Sequence, residues 1–135
     1  MSITLIITAI IFAIIILVFI NLVGRPVPKG VDKQYFQNEW GDIIELAKEQ
    51  KTKPMSIINA DRLLDEALRS IGFSGNTMAE RLVSAKQHLR DRNSVWGAHR
   101  LRNKIVHESL HEPSDKEIQN ALKGYYQAFK DLRVM

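Results

Sequence analysis

Two hydrophobic rhythms divide this chain. From Ile3 to Val23 apolar residues run on without a charged side chain, interrupted only by Thr4, Thr8 and Asn21. Beyond residue 31 they return at every third or fourth position, the spacing of one helical face. Nothing from 32 to 135 alternates with period two, so helices are expected throughout. The first spans roughly Asp32 to Lys51 and presents Phe36, Trp40, Ile43 and Ala47. Pro54 opens a second with the stripe Ile57, Ala60, Leu64, Ala67, Leu68 and Ile71, stopped at Gly72. Thr77 and Glu80 have capping-box spacing ahead of Met78, Leu82, Ala85 and Leu89. A fourth helix runs from about Val95 to Leu110 and Pro113 ends it. Ser114 and Glu117 then cap a fifth carrying Ile118, Ala121, Leu122, Tyr125, Phe129 and Leu132.

The expected fold is therefore all-α: a single N-terminal transmembrane helix followed by a small helical bundle of four to five helices. A helix over the first run would be about 31 Å long, close to the ~30 Å hydrocarbon core. No basic residue precedes it, and Arg25, Lys29 and Lys33 follow it. The positive-inside rule then places the C-terminal domain in the cytoplasm and the N-terminus outside, as a single-pass cell-membrane protein. Residues 1–24 are the expected anchor, 25–31 a linker stiffened by Pro26 and Pro28, and 32–135 the bundle domain.

Composition narrows the chemistry. The 135 residues include no cysteine, which excludes disulfides, thiol nucleophiles and thiolate metal sites. Nineteen basic against fifteen acidic residues leave a net charge of +4, a mild bias with no partner of its own. The fourth helix is the unusual one. Val95, Ala98, Leu101, Ile105 and Val106 form its apolar stripe, and Arg102 projects inside that stripe. A guanidinium there requires an anionic partner or a wet cleft, because an unpaired buried charge costs several kcal/mol. Asp61, Asp65 and Glu80 are the carboxylates available to it. Trp96, His99, Asn103 and His107 form a polar-aromatic strip alongside.

The run Arg102-Asn103-Lys104-Ile105-Val106-His107 resembles the R-x4-H motif of HEPN domains (higher eukaryotes and prokaryotes nucleotide-binding). The context is similar too: an Ala-x-x-Leu-Leu helix at Ala60 to Leu64 and a Gly-x-Ser-Gly turn at Gly72 to Gly75. The resemblance covers about residues 53–133; the apolar N-terminal segment and the helix before Pro54 are departures from it. It implies a small dimeric bundle that binds RNA and, in many members, cleaves it as a metal-independent endoribonuclease with no cofactor. On that reading Arg102 is the phosphate-binding cation, His107 moves protons, and Asn103 orients one or the other. His99, Arg100 and Lys104 would bind substrate, with Arg90, Arg92 and Arg133 as further basic residues for an RNA track. Five residues turn a helix by about 140°, so Arg102 and His107 do not share a face. A homodimer, bringing two motifs together, is therefore part of the expectation.

Two alternatives remain open. One is a non-catalytic, membrane-tethered assembly module that uses the fourth helix as its interface. The other is a zinc metalloprotease, because His107, Glu108 and His111 spell H-E-x-x-H.

Overall fold

The computed structural model describes residues 3–23 and 30–135, without the side chains of residues 20–23. All elements among the described residues are helical: α1 (Ile3–Val23), α2 (Lys33–Leu46), α3 (Lys53–Ile71), α4 (Met78–Ser84), α5 (Arg92–His107) and α6 (Asp115–Asp131), with a 3₁₀ turn at Lys86–His88. The linker expected at 25–31 falls almost wholly outside them.

The membrane expectation is overturned. Among the described residues no helix is long and apolar enough to cross a membrane. The helix α1 forms, and its side chains from Ile3 to Phe19 are exposed. The transmembrane assignment of residues 3–23, the single-pass topology and the cell-membrane localisation derived from it are withdrawn together.

The bundle itself follows the helical pattern. Helix α3 is its centre, contacting α2, α4, α5 and α6. Ile57, Ala60, Leu64, Ala67 and Leu68 are buried as their spacing predicts, and Leu63 joins them. Gly72, at φ +99°, closes α3 in the left-handed conformation. Its N–H bonds to Arg69 O, and Phe73 N reaches back to Leu68 O, satisfying carbonyls the helix end would orphan. The helix before Pro54 belongs to the same body. Phe36 and Ile43 are buried, Trp40 meets Phe129 edge-on and stacks on Tyr126, and Tyr35 Oη donates to Glu66.

Several boundaries differ from those expected, and α2 ends at Leu46 rather than near Lys51. Helix α5 starts at Arg92 rather than Val95, because the Asp91 carboxylate accepts from both Ser94 N (3.0 Å) and Ser94 Oγ (2.6 Å). It ends at His107, with Glu108 extended, rather than at Leu110. The third predicted helix breaks after Ser84, yet Leu82, Ala85 and Leu89 still point into the core. At Thr77 the box is offset: Thr77 accepts from Glu80 N, but Glu80 accepts from Asn76 N. At Ser114 both bonds of the capping box are present, and α6 packs along α5.

Candidate functional site

A carboxylate stands in the apolar stripe of α3. Asp61 follows Ile57 by four residues and precedes Leu64 by three, so helical geometry turns it inward with them; it is 4% exposed. Burial at that level requires partners. Three arrive from two other helices. Tyr125 Oη of α6 donates to Asp61 Oδ1 at 3.0 Å. His99 Nδ1 of α5 lies 2.8 Å from the same oxygen. Arg102 Nε of α5 lies 3.6 Å from Oδ2.

The α5 side chains are joined to one another. Arg102 Nη1 donates to Asn103 Oδ1 at 3.0 Å, and Asn103 Nδ2 lies 3.4 Å from His99 Nε2. With the His99 proton on Nδ1, every step of the ring has a donor facing an acceptor: arginine to asparagine, asparagine to histidine, histidine to aspartate. Burial, and then the charge of Asp61, push the Tyr125 phenol far above its ordinary value, so it stays a donor. The fold thus favours the protonated phenol. That contribution is whole below the ordinary value near 10 and is lost as pH climbs beyond it. In an alkaline absorbance titration, one of the three tyrosines, Tyr125, should ionise only as the bundle unfolds. Reversible ionisation of all three below the unfolding transition would contradict the burial of Tyr125.

Arg102 is both paired and open. Its Nε faces Asp61 without a hydrogen bond, its Nη1 is used by Asn103, and its Nη2 has no partner among the described residues. Its side chain is 32% exposed. With Asp61, Asp65, Met78, His99 and Asn103 it lines a cleft of about 440 Å³ between α3, the start of α4 and α5. The other carboxylates offered for Arg102 are engaged elsewhere. Asp65 holds Arg81 through Nε (2.6 Å) and Nη2 (3.1 Å), which ties α4 to α3 and raises the Arg81 pKa. Glu80 serves as a cap.

The other predicted residues separate. His107, the last residue of α5, is exposed and points outward, about 140° around the helix from Arg102. One chain does not unite them. Arg100 and Lys104 face away from the cleft, into a larger groove between α5 and α6; only His99 of the expected substrate-binding trio reaches Arg102's surroundings. The zinc alternative loses its premise: α5 stops at His107, so His111 does not follow on the same helical face. Instead His111 Nε2 sits 3.9 Å from Glu117 Oε1 at the start of α6. Among the described residues no group of three or more histidine or acidic side chains is placed to hold a metal ion.

Two members of this site were under-read in the sequence. Asp61 was only one of three carboxylates offered to Arg102, although its position inside an apolar stripe is the same signal that marks the arginine. Tyr125 reads as packing alone, because nothing in its spacing shows where a phenol oxygen ends. Compared with protein families, characterised proteins and solved structures, the chain finds no match.

Proposed function

We propose that this bundle binds RNA at the α3/α5 cleft and cleaves it without a metal ion, through a site completed by a second copy of the chain. The observation that carries this reading is the state of Arg102. Its Nε edge is steered by Asp61 and its Nη1 by Asn103, while Nη2 remains open in a cleft. A guanidinium held by its back edge and free at its front is suited to phosphate oxygens. RNA carries its own nucleophile. The 2′-oxygen attacks phosphorus, the bond to the 5′-oxygen breaks, and a 2′,3′-cyclic phosphate and a 5′-hydroxyl result. His107 takes the 2′-proton or supplies one to the leaving oxygen. Since His107 points away from Arg102 in one chain, the histidine comes from the neighbouring copy.

The test is a cleavage assay on the full chain with a chelator present. RNA should be cut and the 2′-deoxy analogue spared. Arg102→Lys and His107→Ala should each lower the rate by about 10²- to 10³-fold while thermal melting of the bundle is retained. Mixing Arg102→Ala with His107→Ala protein should restore roughly a quarter of the activity, as random pairing rebuilds one of two symmetric sites in half of the dimers. Chelator-sensitive cleavage, or full activity in Arg102→Lys, rejects the reading. Val106 is 45% exposed and Leu110 95% exposed beside this surface, which favours a second possibility, a non-catalytic assembly face. A chain that self-associates through α5 and leaves RNA intact would establish that instead.

A further inference from the structure

The cavity between α5 and α6 lies on the opposite side of α5 from the Arg102 cleft and measures about 710 Å³, within the range of small-ligand pockets. Its floor is made of small residues, Gly97 and Ala98 on α5 and Ala121 and Gly124 on α6, where the two helices approach closely. Above that floor stand Arg100, Lys104 and Lys123, all exposed and none in an ion pair among the described residues. Arg100 folds back over the floor, its Nη2 3.9 Å from where a Cβ on Gly97 would be. Arg100 and Lys104 are one turn apart, about 6 Å along the axis.

Carboxylates close both ends. Asp91 at the start of α5 is held by Ser94, and Glu117 in the first turn of α6 accepts from Ser114 N and Oγ. Those bonds keep both carboxyls below their usual range and therefore charged. A running nucleic-acid strand would carry phosphates past a negative charge at each end. The space between them is bordered by the three cations and by the carboxamide of Asn120, and would suit a compact anion.

We propose that the α5/α6 groove is a binding site for a compact phosphate-bearing anion of the pyrophosphate or phosphate-ester class. It stands apart from the RNA reading, since Arg102, Asn103 and His107 take no part in it. Calorimetric titration of the full chain with inorganic pyrophosphate tests it, with a short oligouridylate as the second arm. The expected result is saturable one-to-one binding. Lys104→Gln with Lys123→Gln should weaken it at least roughly tenfold, the loss of charge-assisted hydrogen bonds. Lys104→Arg with Lys123→Arg should keep it, as should the remote Lys86→Gln. No saturable binding, or an equal loss in Lys86→Gln, overturns the site. Oligouridylate binding more tightly than pyrophosphate through Lys104 and Lys123 overturns its compact character in favour of a strand.

Discussion

Asp61→Ala should destabilise the bundle by about 3–5 kcal/mol, the cost of removing one member of a buried charged cluster. The size follows from what remains behind. Arg102 keeps its charge with no counter-ion, His99 Nδ1 loses its acceptor, and the fully buried Tyr125 loses the acceptor for its hydroxyl. A domain of this kind has only about 5–15 kcal/mol in all, so the variant should populate unfolded states under mild conditions. Urea denaturation followed by circular dichroism measures it. Tyr125→Phe, which removes a single donor and leaves Asp61 its two other partners, should cost only about 1 kcal/mol. If Asp61→Ala costs no more than Tyr125→Phe, the carboxylate is not the hub that its contacts describe.

Gly124→Val should be the other large loss, about 2–3 kcal/mol from overpacking. A Cβ on Gly124 would lie 2.7 Å from Ser94 O and 2.9 Å from Ser94 C, and the obstacle is backbone that has no rotamer to change. Even alanine, which gains about 1 kcal/mol in intrinsic helix propensity, should come out destabilising, because α5 must move away from α6 to admit it. That movement would also displace His99 and Arg102 from Asp61. Equilibrium unfolding of Gly124→Ala and Gly124→Val checks the order; a stabilised alanine variant would show that the helices part without cost.

Much of the architecture could be read ahead because its causes are local. The capping box at Ser114, the stop at Gly72 and the stripe of α3 each join residues within five positions. The errors have local causes as well. Asp91 outcompeted the expected start of α5, since its two oxygens take both the backbone N–H and the hydroxyl of Ser94. The H-E-x-x-H reading assumed that a helix continues for as long as its letters allow, and α5 ends at His107. The anchor reading took unbroken apolar sequence as sufficient for crossing a membrane. Hydropathy supports a helix at Ile3–Val23, but no described helix is long and apolar enough to cross.

Sequence alone determined the helices, most of the core, and the anomaly of an arginine among apolar residues on α5. Each depends on side chains three or four positions apart, whose relation the helix itself imposes. Tertiary structure decided what the anomaly means. Asp61 meets His99 across 38 residues and Tyr125 across 64, and no periodicity specifies which turn of α3 faces which turn of α5 and α6. Packing made that choice: Gly124 lets α6 press against Ser94, Asp61 is brought under Arg102, and His107 is left outside.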